Sequence, residues 1–384
     1  MTTMHPIGVR RTVLSKDDNK SLYDNVYSTI QATKATHLSS HEFGETFVRK
    51  YDAPIEKFGK FYEKTEAGDA DERMLFNIVA EIGSEADGTW LAGYTKNIPS
   101  SKLPIGDNSN ATRMTVAARV PTNAPKKLRT YFKGCVGTLD DIQSKDRQAE
   151  MRAGTIYNNV TDWVSRAPSG DNVILLRFAP TYEARNKSRP SAGQQRPLQT
   201  KKRTRPQAAK AKSEAETDAT MEDVSDSDAT DTEAASADGP MAKPIEERQV
   251  GDEYHPDILP EHRGSYFAHN NAVVVQRELL DENEKLIAPN EIAQTLTEGT
   301  LFIATVSLEF YNFKEDHYPS KTYHVHIDTL KVLDVGDGIP WEYPIPEGSP
   351  VAGSSKAVKR EGEKVAASAA MSAFQSPSKR ARKS

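Results

Sequence analysis

Residues 297–313 read TEGTLFIATVSLEFYNF and residues 321–334 read KTYHVHIDTLKVLD. In the first, Phe302, Ala304, Val306, Leu308 and Phe310 alternate with Ile303, Thr305, Ser307, Glu309, Tyr311 and Phe313. Successive side chains of a strand point to opposite faces, so one face is wholly apolar and the other is polar, then aromatic toward its end. The second segment repeats the alternation, with Tyr323, Val325 and Ile327 on one face and His324, His326 and Asp328 on the other. KEDHYPS (314–320) joins the two. The pair predicts a long antiparallel hairpin laid on a core.

The H-x-H pair places two imidazoles on one side of a strand, about 7 Å apart. A metal centre needs a third and fourth ligand and support behind the rings. His317 lies in the connection, and the one cysteine of the chain, Cys135, is remote in sequence. The histidines are read as an outer strand face, and no metal or cofactor is implied.

Working outward, AVVVQREL (272–279) reads as a strand, DENEK (281–285) as a turn and NEIAQTL (290–296) as a short helix after Pro289. Nearer the start, SLYDNVYSTI places Leu22, Val26 and Ile30 at helical spacing, and Ser39 to Glu42 resembles a capping box ahead of Phe43 and Phe47. RMLFNIVAEIG (73–83) alternates as a strand, with TWLAGYT (89–95) as its partner. RMTVAARV (113–120), RTYFKGCVG (129–137) and NVILLRFAP (172–180) read as further strands, and residues 138–154 as a helix.

Between these patterned regions the chain changes character. Ten basic residues and no acidic one fall between Arg185 and Lys212, then ten acidic residues and no basic one between Glu214 and Asp238. So few large apolar side chains cannot offset the entropy of ordering, which predicts a disordered polyampholyte. The expected layout is a helical extension over 1–69, an α+β or barrel-like domain over 70–182, a disordered basic-then-acidic linker over 183–249, a β domain over 250–345 and a disordered basic tail over 346–384. The fold class is α+β to mostly β.

Composition also excludes. A single cysteine rules out a disulfide framework and multi-cysteine zinc patterns, and is read as a small buried hydrophobe. No apolar run approaches the length of a membrane span, and residues 1–13 lack the apolar centre of a signal peptide. No P-loop, G-x-S-x-G or H-E-x-x-H motif occurs, so a non-enzymatic role is expected. KKRTR (Lys201, Lys202, Arg203, Arg205) and KRARK (Lys379, Arg380, Arg382, Lys383) are compact basic clusters of the kind import receptors read, which points to the nucleus.

The order of short helix, Gly-led long strand, polar connection and returning strand resembles the second half of an OB-fold. It is similar to the bacterial single-stranded-DNA-binding protein and replication protein A families. The likeness rests on Ala293–Leu301 (AQTLTEGTL), Val306-Ser307-Leu308, Lys321, Tyr323, Ile327 and Val332-Leu333-Asp334, and covers about residues 270–345. It implies an OB-like β-barrel in the C-terminal half whose hairpin embraces single-stranded DNA or RNA. Such a site needs aromatic faces for stacking and cations along a backbone path. Tyr311, Phe313, Lys314, Tyr318 and Lys321 cluster about the hairpin tip, and His324 and His326 continue that face. Lys126, Lys127, Arg129, Tyr131 and Lys133, in KKLRTYFKG, form a second basic-aromatic patch. The same residues also suit rings packed under a loop and solubilising charges. The competing reading is a nuclear scaffold whose acidic tract engages basic proteins such as histones.

Overall fold

The computed structural model describes residues 7–15, 19–51, 58–64, 73–93, 103–107, 112–185, 242–262, 266–313 and 319–341. After a single turn, α1 (Ile7–Arg10), helix α2 (Leu22–Ala32) starts at a true capping box. The Ser21 hydroxyl accepts from the Asp24 amide at 3.1 Å, and the Asp24 carboxylate accepts from the Ser21 amide at 3.2 Å. Tyr23, Val26 and Ile30 form its buried stripe. The second capping signal, at Ser39, does not open an α-helix. Residues 38–40 make one 3-10 turn, Gly44 turns the chain at φ +87°, and Phe47 starts strand β1 (Phe47–Tyr51), which pairs with β2 (Phe58–Glu63).

Next come β3 (Phe76–Ile82) and β4 (Thr115–Arg119). Of the expected partner strand at 89–95, the described residues 89–93 make one bridge, Trp90 to Thr115. Then the chain departs furthest from its sequence pattern. RTYFKGCVG is not a strand but part of α3 (Lys126–Arg152), which buries Leu128, Tyr131, Phe132, Cys135, Val136, Leu139 and Ile142. That spacing is a helical stripe, and it outweighs the five-residue alternation at its start. Cys135 is fully buried, and burial pushes its thiol up to about 11.

Short strands β5 (Asn159–Thr161) and β6 (Val164–Arg166) precede β7 (Asn172–Arg177) and β8 (Tyr182–Ala184). The chain resumes with β9 (Glu253–Tyr254), β10 (Ala272–Val275), β11 (Leu279–Leu280) and α4 (Ile292–Thr295). The long hairpin β12 (Leu301–Phe313) and β13 (Ser320–Asp334) completes it, as its alternation requires.

Five strands pair in a closed circuit. β12 pairs with β3, β3 with β4, β4 with β7, β7 with β13, and β13 returns to β12. Only the β7–β13 pairing in that circuit is parallel. The apolar faces meet inside it: Phe302, Ala304, Val306, Leu308 and Phe310 lie against Ile78, Val116, Ile174, Leu176 and Val325. The β1–β2 hairpin adds to the far half of β12, where Gly59 makes room for Phe310; a Cβ at Gly59 would overlap the ring.

This circuit corrects the expected domain boundaries. Segments 70–182 and 250–345 do not build separate bodies, since β3, β4 and β7 close on β12 and β13 within one compact unit, Met1–Pro346. A lone two-stranded ribbon cannot cover its apolar face, so the hairpin needs those partners. The compositional break is an insertion instead. Residues 186–241 lie outside the described residues, yet β8 before them pairs with β10 after them, Ala184 opposite Ala272, in a separate sheet with β9. The expected linker 183–249 is therefore structured at both edges. The tail over 346–384, and both basic clusters, lie outside the described residues.

Two buried ion clusters tie the outer elements to the circuit. Arg11, fully buried, donates to Glu81 at 2.7 Å, to Asp334 at 2.6 Å and to the Gly299 carbonyl at 2.6 Å. In the other cluster, Lys321 pairs with Asp146 and Glu150 of α3, and Arg49 of β1 meets the same two carboxylates at 2.5 and 3.0 Å.

Candidate nucleic-acid interface

The outer face of β4, β7, β13 and β12 can be followed through its register. Thr115 pairs with Arg177, Arg177 with His326, and His326 with Ser307, so these four side chains share one face. Arg113 lies two residues before Thr115 in sequence and reaches the same face. Its Nη1 is 3.2 Å from His326 Nδ1. A guanidinium only donates, so in this contact Nδ1 is the acceptor. Nε2 stands 2.9 Å from Glu309 Oε2, close but off the hydrogen-bond axis.

The acidic residues here are already engaged. Arg73 reaches Glu309 at 3.1 Å and Asp328 at 3.2 Å, and also bonds Ser307. Burial opposes ionisation of Glu309, yet His326, Arg73 and Lys60 hold its carboxyl below the ordinary value. Arg177 is different. Burial and the neighbouring Arg113 both push its guanidinium down, and among the described residues it has no carboxylate partner. Two cations are thus held side by side on a half-buried face. That arrangement is costly alone and is relieved by an anion.

Rings run beside the cations. Phe58 lies 4.8 Å from Tyr311, Tyr311 5.0 Å from His324, and His324 5.6 Å from His326, centre to centre. Lys60 Nζ stands 5.0 Å from the Phe58 ring. Phe313, two residues beyond Tyr311 on the same face, is half exposed. Burial, then Arg177, His326 and Arg113, push His324 down to about 2, so it is a neutral ring at physiological pH. Burial and Glu309 keep the Tyr311 phenol protonated.

The structure sorts the sequence candidates. Tyr311, Phe313, His324 and His326 come together, although His326 is buried. Lys321 does not join them. It is wholly buried, and its ammonium lies 4.4 Å from the Phe310 ring and 5.0 Å from Tyr323, besides its two carboxylates. Tyr131 is also withdrawn: its hydroxyl meets His37 Nδ1 at 2.7 Å inside the core. Lys126, Lys127, Arg129 and Lys133 stay exposed on α3, but without exposed rings between them. Lys314 and Tyr318 lie outside the described residues. Sequence reasoning missed Phe58, Lys60, Arg73, Arg113 and Arg177. For Arg177 a signal existed, namely a single arginine at the outward phase of the apolar run NVILLRFAP.

No family model matches the chain, and no curated protein matches it. Two solved structures superpose loosely. A single-stranded DNA-binding protein from bacteriophage Enc34 gives a TM-score of 0.28 at 9% identity, over 77% of this chain and 93% of that one. The gp2.5 single-stranded DNA-binding protein of bacteriophage T7 gives 0.30 at 6% identity, over 69% and 93%. Superpositions this loose carry no weight for fold or function.

Proposed function

We propose that the chain is a non-enzymatic nucleic-acid-binding protein whose ligand is single-stranded DNA. The five-strand circuit is read as an OB-type barrel, with β3, β4, β7, β12 and β13 as its first to fifth strands. OB-folds bind oligonucleotides on the face of their second and third strands and on the adjoining loops. Here that face carries Arg113 and Arg177, and the β12–β13 hairpin adds Tyr311 and Phe313. The observation that carries the reading is the Arg113–Arg177 pair, uncompensated at Arg177, beside the Phe58–Tyr311–His324 rings. Phosphate relieves the cation pair, and an unpaired base has a free face for the rings. A duplex keeps its base faces stacked away. Nuclear entry through KKRTR and KRARK is proposed on the sequence alone.

The test is fluorescence anisotropy of a labelled single-stranded oligonucleotide with the full chain, at roughly 50 and 200 mM salt. The reading expects salt-sensitive binding that Arg177→Ala weakens. A wild-type chain that fails to bind at the lower salt overturns it.

A further inference from the structure

We propose that the notch between Trp90 and Trp341 is a nucleobase subsite at the end of this path. The proposal rests on the nucleic-acid reading above and extends it to a part of the molecule that reading does not use.

Trp90 continues the outer row. Its amide donates to the Thr115 carbonyl and the Thr115 amide donates back, each at 2.7 Å. Residues that exchange both bonds carry their side chains on the same face of the sheet. Thr115 in turn pairs with Arg177. Trp90 is therefore two strand spacings, about 10 Å, from Arg177 on the face that holds the cation pair.

Beyond Trp90 the surface opens into a notch of about 420 Å³, lined by Trp90, Leu91, Leu296, Thr297, Ile339 and Trp341 among others. That volume falls within the range of small-ligand pockets, about 300–1,000 Å³. The two indoles meet edge to face at 5.2 Å and 81°, and both are half-buried. The Trp341 indole N–H has no acceptor among the described residues. An indole N–H left unpaired away from water is costly, and a base carbonyl or ring nitrogen would satisfy it. The local acidic groups disfavour a phosphate here: Glu85 and Glu298 line the notch, and Glu298 pairs outward with Arg119. A neutral base has no such conflict. Ring faces, one open donor and an acidic rim select the base of a nucleotide whose phosphates stay on Arg113 and Arg177.

The chain has three tryptophans, and the third, Trp163, is buried in the core. Intrinsic fluorescence of the full chain therefore reports on the notch. The probes are a plain single-stranded oligonucleotide and one of equal length with abasic sites. The expected result is saturable quenching by the first and binding with little quenching by the second. Trp341→Ala should bind about tenfold more weakly with an unchanged salt slope, and Trp341→Phe, which keeps a ring, should bind within about threefold of wild type. If Trp341→Ala does not fold by circular dichroism, the abasic probe and the phenylalanine variant still decide. Wild-type binding without quenching, or equal quenching by the abasic probe, overturns the notch while leaving the Arg113–Arg177 face intact. A wild-type chain that binds neither probe overturns both.

Discussion

Arg113, two residues before β4, and Arg177, at the end of β7, share the outer face of the sheet, where burial and the Arg113 charge together push the Arg177 guanidinium down. The carboxylates nearby are spent elsewhere, Glu309 on Arg73 and His326, and Asp328 on Arg73. Removing Arg177 should then stabilise the free protein slightly while weakening its hold on phosphate. Arg177→Ala should leave the unfolding free energy unchanged or higher, by up to about 1 kcal/mol, since relieving like-charge repulsion removes a cost. Equilibrium unfolding checks this. A loss of several kcal/mol would mean that Arg177 is structural.

Lys321 should behave in the opposite way. Its ammonium is sealed between Asp146 and Glu150, and Tyr323 donates to the same Asp146 at 2.5 Å. Lys321→Met leaves buried carboxylates short of a cation, which costs about 3–5 kcal/mol. Chemical unfolding should show that loss. Where the variant is still folded, its salt slope for DNA should match wild type.

Gly59 faces Phe310 across the β2–β12 pairing, and a methyl there would collide with the ring. Gly59→Ala should destabilise by about 1–3 kcal/mol through overpacking. Combining it with Phe310→Leu should cost less than the sum of the two single changes, because the smaller side chain yields the space. Strict additivity in that double-mutant cycle would show that the two positions do not touch.

His324 sets a pH dependence whose sign follows from its environment. Folded, it is pushed down to about 2 by burial and the adjacent cations, against an ordinary value of 6.5. The unfolded chain takes up the proton first as pH falls. The contribution is fully present above 6.5 and is lost below it, by up to about 1.4 kcal/mol per pH unit. His37 and His41, also lowered chiefly by burial, act in the same direction. Glu261, pushed up to about 7 by burial, acts oppositely, so wild type must be compared with His324→Leu. The variant should lose less stability than wild type between pH 6.5 and 5. Parallel curves would place a charged imidazole at 324.

Much of this was legible in the sequence, for physical reasons. The β12–β13 hairpin announces itself because the alternation from Phe302 to Phe310 reads as a strand with one apolar face. β3, β4 and β7 were visible as strands, but their pairing with a hairpin some 200 residues away was not. The basic and acidic runs imitate a domain boundary, and only the β8–β10 pairing reveals an insertion within one fold. In α3, the basic-aromatic stretch KKLRTYFKG suggested exposed stacking rings. The stripe from Leu128 to Ile142 turns them inward and leaves only the lysines outside. Lys321 was drawn into the site by its nearness to the hairpin. Its phase, shared with Tyr323 and Val325, already placed it on the core side. Arg113 and Arg177 went unnoticed because each stands alone, and only the register places them together.

The most direct measurement is the salt dependence of single-stranded DNA binding for wild type, Arg113→Ala, Arg177→Ala and the double variant. Each phosphate that is no longer neutralised should lower the slope of log affinity against log salt by about 0.7, its value for single strands. The account predicts a decrease of about that size for each single variant and roughly twice that for the pair, with folding intact. Slopes identical to wild type would contradict it, and would show that the β4–β7 face does not hold the phosphates.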